Sequence, residues 1–340
     1  MTGWFQQRPK QQTQHLTVDI TAHWLKQIAT LKVDKASGDP APHKPLLLLV
    51  IFDLAQQGLL EQEILPLGGE LAFRFLTYWT VVAARRKQRP DLRLPFHHLK
   101  TGGFWAALAE DGQPSPDKKL TACAKLDSSF LKCVKGDKFR DQARRLIATN
   151  YFRGEERAGL CALLDIPMPG ETQMLRETAA IEAAAAVAQG REARFRLTVI
   201  PAYNYTCALT GYRLVTVDSG SIVDAAHIHR FAASRNNDPR NGLALCKNAH
   251  WLFDTGLWTL DDDYRVRVAT TKFSESGAEG LRLKALEGHK IHLPAASQYW
   301  PDPVHMAWHR NNRFQGARLA SICHQGCTSL PSLANSLKIG

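Results

Sequence analysis

The segment from residue 222 to residue 254 constrains the fold of this chain more than any other. Residues 222–228 are short and apolar and carry a histidine near their end, which predicts a strand that delivers an imidazole. A loop dense in Asn, Asp and Pro follows, then a second apolar strand over 243–246 and a short helix over 248–255. Strand, loop, strand and helix in this order predict a compact ββα unit.

The side chains of this unit favour a divalent-ion site. His227 lies at the end of the first strand. His250 and Asp254 are four residues apart on the helix, so both project from one face. Imidazole nitrogens and carboxylate oxygens are both ligands of divalent ions. The pattern therefore predicts a site between the helix and the strand.

Four short sequence motifs around these residues resemble those of a known protein family. They are Cys-Ala-Leu-Thr-Gly at 207–211, Ala-Ala-His-Ile at 225–228, Asn-Gly-Leu-Ala-Leu-Cys at 241–246 and His-Trp-Leu-Phe-Asp at 250–254. With His227, Asn241 and His250 at separations of 14 and 9 residues, they resemble the HNH, or ββα-metal, endonucleases. The resemblance extends over about residues 195–315 and implies hydrolysis of a phosphodiester bond.

The resemblance implies a role for each residue. His227 is expected to be the general base, since an imidazole with an unperturbed pKa of about 6.5 titrates near working pH. Asn241 is expected to hold that imidazole in orientation through a backbone or side-chain contact across the hairpin. His250 and Asp254 are expected to bind one divalent ion, Mg²⁺, Mn²⁺ or another transition metal. Asp224 is the nearest carboxylate on the first strand and is included as a further metal ligand.

Two positions depart from the pattern of many family members. Ala226 stands where those members carry an acidic ligand before the first histidine. Cys207 and Cys246 each lack the second cysteine of a CxxC pair, because Thr210 and Ala249 stand in those places. A structural zinc held by four thiolates is therefore not expected, and the seven cysteines of the chain are predicted to be reduced thiols.

The excess of positive charge is concentrated before the ββα unit. The chain has 43 Lys and Arg against 32 Asp and Glu, and residues 85–153 alone hold 16 basic and 7 acidic residues. This favours a polyanion as partner, because cations that neutralise phosphates release condensed counterions. Arg85, Arg86 and Lys125 are the candidate DNA contacts of this region. A solvated basic face without a partner is the alternative from charge alone.

A second resemblance points to the target. His-Lys-Pro-Leu-Leu-Leu-Leu at 43–49 and Leu-Pro-Phe-His-His-Leu at 94–99 resemble the sulfur-binding domain of phosphorothioate-dependent type IV restriction enzymes, where such a domain precedes an HNH nuclease. The resemblance implies that His43, Pro95 and Phe96 face a modified backbone phosphate, with Pro95 as an apolar contact for sulfur. The alternative makes His43 a residue at a helix start and Pro95-Phe96 a packed turn.

The spacing of apolar residues along the chain, together with the ββα unit, predicts an α+β fold with a mainly helical N-terminal part. Helices are predicted over 24–31, from about 44 to 58, over 71–86 and over 130–152, and an extended segment over 92–99. An Ala- and Glu-rich helix over 178–189 is predicted to end at Gly190. We expect a DNA-recognition domain over 1–167, a helical linker over 168–193, an HNH endonuclease domain over 194–316 and a tail over 317–340.

The leading hypothesis is a metal-dependent restriction endonuclease that cleaves phosphorothioated duplex DNA. Two alternatives stay open. One is an HNH-fold DNA-binding protein without cleavage activity, which Ala226 favours; the other is an HNH nuclease with a different target, another DNA or an RNA. A homodimer is an option, because two cuts in a duplex need two active sites.

The sequence also bears on localisation. The longest apolar run, over 45–52, is far shorter than the roughly 18 residues of a membrane span, and the first residues lack the apolar core of a signal peptide. We therefore expect a cytoplasmic protein without a membrane partner.

Overall fold

The computed structural model describes residues 20–35, 38–86, 88–167 and 177–316. These residues form an α+β fold, as predicted. The helices of the N-terminal half are α1 (Ile20–Ala29), α2 (His43–Gln56), α3 (Gly69–Val82), α4 (Arg93–His98), α5 (Ser128–Val134), α6 (Asp137–Tyr151) and α7 (Gly154–Leu164). Its strands are β1 (Ile64–Pro66), β2 (Trp105–Leu108) and β3 (Cys123–Leu126), which form an antiparallel sheet in the order β1-β3-β2.

Helix α2 forms the centre of this half. Its residues 46–52 are apolar without interruption and all are fully buried. A helix that is hydrophobic on every side has no solvent face, so α2 is surrounded by other elements, among them α3, α4 and α6. The predicted helices over 24–31, 44–58 and 71–86 are confirmed as α1, α2 and α3.

Residues 92–99 form helix α4 where we predicted an extended segment. Helix α4 continues as a 3-10 helix over Leu99–Gly102. Pro95 lies in the first turn of α4, where backbone N–H groups have no intrahelical acceptor. The missing N–H of proline therefore breaks no hydrogen bond there. The prediction was wrong because it treated proline as a helix breaker regardless of its position.

The C-terminal half begins with a long helix and continues with short strands. Its elements are α8 (Glu177–Ala202), β4 (Val215–Thr216), β5 (Gly220–Ser221), β6 (Val223–His227), α9 (Phe231–Ser234), β7 (Gly242–Cys246), α10 (Lys247–Asp254), β8 (Trp258–Leu260), β9 (Val266–Val268) and α11 (Pro303–Asn312). The hairpin of β4 and β5 packs on α3, so the two halves are in direct contact. None of the helices in the described ranges is long and apolar enough to cross a bilayer.

The predicted ββα unit is confirmed. Strands β6 and β7 pair antiparallel, with Val223 opposite Cys246 and His227 opposite Gly242, and α10 follows at once. The C-terminal part of α8 packs against this hairpin: a Cβ on Gly242 would lie 2.6 Å from Val199 and 2.9 Å from Phe195. The hairpin therefore lies directly on the long helix.

Helix α8 runs through Gly190, where we predicted its end. A Cβ on Gly190 would lie 2.0 Å from the carbonyl oxygen of Gly159 in α7. The glycine thus permits a close helix–helix approach and does not terminate the helix. Only part of the predicted linker over 168–193 and none of the predicted tail over 317–340 lies within the described residues.

Substitution of Gly190 by alanine is expected to lower the free energy of unfolding by about 1–3 kcal/mol. The added methyl group would overlap the backbone of Gly159, and the resulting shift outweighs the roughly 1 kcal/mol that alanine adds in helix propensity. Urea denaturation measures this change. Gly280→Ala is the matched control, because a Cβ there meets nothing within 4 Å. Equal effects of the two substitutions would contradict the role assigned to Gly190.

Candidate functional site

His227 lies at the end of β6, half-buried, with its ring held on two sides. Its ring stacks on that of Phe195 from α8, with centroids 4.0 Å apart and planes 6° apart. Its Nε2 lies 2.9 Å from Oδ1 of Asn237, and an Nε2–H that donates to this oxygen leaves Nδ1 as a proton acceptor. The stacking and the hydrogen bond fix the orientation of the imidazole.

The surroundings of His227 keep the ring neutral. Burial lowers the pKa of His227 below its ordinary value, and the hydrogen bond that the ring donates to Asn237 and the charges of Glu192 and Asp254 offset only part of this. The nearby imidazole of His250 lowers the pKa of His227 further. A neutral imidazole at neutral pH is the form that a general base requires.

Asn241 supports the strand end without touching the imidazole. Its fully buried side chain accepts from the backbone N–H of His229 at 2.8 Å and donates to the carbonyl oxygens of His229 at 2.9 Å and Asn236 at 3.1 Å. Its own carbonyl oxygen accepts from the N–H of Ile228 at 2.9 Å. Asn241 thus fixes the backbone that directly follows His227, and its contacts across the hairpin are to the backbone rather than to the ring.

Asn237 makes the ring contact, and the sequence analysis did not single it out. It lies in the loop between β6 and β7, beside Asn236, whose side chain contacts Nε2 of His305 at 3.3 Å. Nothing in the two adjacent asparagines distinguishes them along the sequence. Only the path of the loop directs one amide to His227 and the other away from it.

His250 and Asp254 lie on one face of α10, as predicted. Nε2 of His250 is 3.5 Å from Oδ2 of Asp254, and the two side chains are 29% and 46% exposed. Two ligands at right angles around an ion with bonds of about 2.1 Å lie roughly 3.0 Å apart, so a small adjustment would let both bind one ion. A carboxylate is a usual ligand of Mg²⁺ and Mn²⁺, and an imidazole is a usual ligand of transition metals.

His250 and Asp254 are the two candidate metal ligands that the described residues bring together on α10. Within the described residues no group of three or more His, Cys, Asp or Glu side chains is placed to hold a metal ion. Water and phosphate oxygens would complete the coordination, as is usual for Mg²⁺. The arrangement fits an open site that faces a substrate, and not a closed structural one.

Asp224 does not join His250 and Asp254. Its Oδ1 forms an ion pair of 2.6 Å with Arg196 of α8. The structure therefore corrects its inclusion among the metal ligands: it lies three residues before His227 on an extended strand, where side chains alternate between faces.

Cys207 and Cys246, which each lack the second cysteine of a CxxC pair, lie close together. Their sulfur atoms are 3.7 Å apart, and they bridge the segment before β4 to the end of β7. Thr210 and Ala249, at the other two positions, offer no thiolate. The two cysteines act as packed residues in the structure.

His43 and Pro95 line one small cavity. The cavity has a volume of about 240 Å³. Its other lining residues are Lys32, Val33, Asp34, Ala41, Lys44, Leu94 and His98. His43 is the first residue of α2. Its ring donates a hydrogen bond from Nε2 to the carbonyl oxygen of Arg89 at 3.0 Å, and its centroid lies 4.7 Å from that of the Trp79 ring. His43 is thus both a residue of the helix start and part of the cavity wall.

Of the remaining residues predicted to contact DNA, two are engaged within the protein and one is exposed. Phe96 is fully buried, with its ring 5.7 Å from that of Trp105, so it belongs to the core and faces no ligand. Arg86 is also corrected: its guanidinium binds both carboxylate oxygens of buried Glu156, at 2.6 and 2.7 Å. Lys125 is exposed on β3. The side chain of Arg85 lies outside the described residues.

Comparison with known proteins confirms the nuclease resemblance for the ββα region. Residues 207–261 match the model of a family described as HNH endonuclease. No curated protein matches the chain.

Two solved structures are similar to parts of the chain. One is a modification-dependent TagI restriction endonuclease, with 21% identity over 38% of this chain and 40% of that one, and a TM-score of 0.28. The other is the sulfur-binding domain of SprMcrA complexed with phosphorothioated DNA, with 18% identity over 39% of this chain and 86% of that one, and a TM-score of 0.33. The chain thus matches less than half the length of the first structure.

Proposed function

We propose that this chain is a metal-dependent endonuclease that cleaves duplex DNA. The observation that carries the proposal is the neutral imidazole of His227, fixed by Phe195 and Asn237, beside the paired His250 and Asp254 on α10. A base and a pair of metal ligands on neighbouring elements suit hydrolysis of a phosphodiester. The HNH match of residues 207–261 supports the same reaction.

The side chains divide the work as follows. Nδ1 of His227 takes a proton from the attacking water, and the hydrogen bond of Nε2–H to Asn237 stabilises the imidazolium that forms. Asn241 holds the backbone after His227 in place. A divalent ion bound by His250 and Asp254 would supply positive charge to the phosphate oxygens and the leaving oxygen.

We propose that the cavity around His43 and Pro95 binds a phosphorothioate group of the DNA backbone. Lys44 and His98 line the same cavity and offer cationic or hydrogen-bonding groups to a backbone phosphate. Burial lowers the pKa of both side chains, and nearby lysines contribute in each case, so at neutral pH the imidazole of His98 serves as a neutral hydrogen-bonding group. The ring of Pro95 gives an apolar wall. Sulfur is larger and less strongly hydrated than oxygen, so an apolar wall beside cations favours it.

Matched plasmids with and without phosphorothioate linkages test this target. We expect the wild-type chain, with Mg²⁺ or Mn²⁺, to cleave the modified plasmid at least about tenfold faster, which corresponds to roughly 1.4 kcal/mol of discrimination. Pro95→Ser replaces the apolar wall by a hydroxyl and is expected to reduce this preference. Lys132→Ala, an exposed lysine on α5, is the control that leaves the preference unchanged.

Each outcome of that experiment separates a different alternative. Equal cleavage of both plasmids would retain the nuclease and refute the phosphorothioate target. Binding of modified DNA without cleavage under either metal would favour a DNA-binding protein with an inactive nuclease fold.

Two-strand cleavage needs two active sites, and we propose that a homodimer in the cytoplasm supplies them.

A further inference from the structure

A cavity lies where the N-terminal helices meet α8, away from the His43 cavity. It has a volume of about 530 Å³ and is lined by residues of α2, α3, α6, α7 and α8. Cavities of roughly 300–1,000 Å³ are typical of small-molecule sites. Its charged lining residues are Asp53, Arg144 and Arg194. None of them belongs to the nuclease site or to the proposed phosphorothioate cavity.

Arg144 of α6 is the unusual residue of this cavity. It is only 5% exposed, and its Nε–H has no hydrogen-bond partner within the described part of the chain. An arginine is charged at every working pH, and burying a charged donor without an acceptor is unfavourable by several kcal/mol. A buried guanidinium of this kind indicates an acceptor that enters from outside the chain.

The nearby carboxylates are already engaged by other arginines. Oδ2 of Asp53 accepts from Arg74 at 2.8 Å, and Oδ2 of Asp165 pairs with Arg194 at 2.8 Å. The carboxyl of Asp53 also accepts from Gln57. Two guanidinium groups, those of Arg144 and Arg194, and one carboxylate, that of Asp53, line the cavity, which leaves one positive charge over. Arg144 is the residue that an anion would neutralise.

We propose that this cavity binds a small phosphate-bearing molecule, such as a nucleotide, with Arg144 as the anchor of the phosphate. The planar guanidinium donates two parallel hydrogen bonds to an oxyanion, a geometry that phosphate accepts well. The lining also includes the apolar side chains of Leu163 and Leu197 and the ring of Tyr299. An organic group attached to the phosphate has room against this wall.

The cavity shares a helix with the nuclease site. Arg194 of α8 lines the cavity, and its neighbour Phe195 stacks on His227. A ligand that fills the cavity would therefore contact the same turn of helix that orients the catalytic imidazole.

Binding to the full chain tests the proposal by isothermal titration calorimetry. The titrants are inorganic phosphate and ATP, in EDTA, so that His250 and Asp254 cannot hold a metal–phosphate complex. We expect saturable binding, tighter for ATP, and a loss of about ten- to a hundredfold in affinity in Arg144→Gln. Arg145→Gln, the next residue and exposed, is the matched control and keeps wild-type affinity.

Folding is monitored in parallel by thermal unfolding of each variant. If Arg144→Gln does not fold, Ala202→Phe narrows the cavity without removing a charge and is expected to weaken binding as well. Equal affinity for phosphate and ATP would assign the site to free phosphate. No saturable binding of either anion, or wild-type affinity in the folded variant, would overturn the proposal. None of these measurements depends on DNA cleavage, so their outcome leaves the proposed nuclease function untouched.

Discussion

Replacement of His227 by alanine is expected to slow DNA cleavage by about 10²–10⁴-fold, the usual contribution of a positioned general base. The imidazole is neutral because burial lowers its pKa, and it is fixed in orientation by Phe195 and Asn237. Single-turnover cleavage at saturating enzyme measures the chemical step. DNA affinity, measured separately, is expected to stay unchanged.

The control for this variant is His289→Ala. His289 is exposed in the same half of the chain and takes no part in the site, so its loss is expected to leave the cleavage rate unchanged. Cleavage by the His227 variant at the wild-type rate would show that another group is the base. A parallel loss of DNA affinity and of rate would indicate a binding role for the imidazole.

Replacement of Asp254 by asparagine, or of His250 by alanine, is expected to remove Mn²⁺ binding and to bring cleavage to the level seen in EDTA. The pair offers the ion one imidazole and one carboxylate, and the loss of either leaves a single protein ligand. Calorimetric titration with Mn²⁺ measures binding in the absence of DNA. Cleavage at increasing Mn²⁺ then shows whether excess metal restores activity.

The matched control for the carboxylate is Asp263→Asn in the exposed turn between β8 and β9. It removes the same charge from the same half of the chain and is expected to leave Mn²⁺ affinity unchanged. Unaltered Mn²⁺ binding in the Asp254 variant would mean that the His250–Asp254 contact is a surface ion pair and not a metal site.

The sequence predicted the ββα unit closely because its signals are local. Strand β6 and helix α10 begin and end within a residue or two of the predicted bounds, since apolar runs and turn-forming residues alone define them. The opposite orientation of Asp224 also follows from the alternation of a strand. His227, His250 and Asp254 were identified in the same way, from spacing on known elements.

What the sequence did not predict depends on contacts between distant residues. Asn237 reaches His227 only because of the path of the loop, and Arg86 is engaged by Glu156, seventy residues away in the chain. Gly190 is typical of a helix end by its local preference, yet it lies inside α8 because Gly159 packs against it. Local preference gives way wherever tertiary packing is stronger.

Helix α8 sets a length scale for the molecule. At about 1.5 Å per residue, its 26 residues extend for roughly 39 Å; the helix packs along α7 and, near its C-terminal end, against the hairpin that carries His227. A rod of this kind does not stretch. In the proposed enzyme one half recognises DNA and the other cleaves it. A rigid helix that contacts both halves would keep the distance between the recognised position and the cleaved bond constant, whatever the flanking sequence.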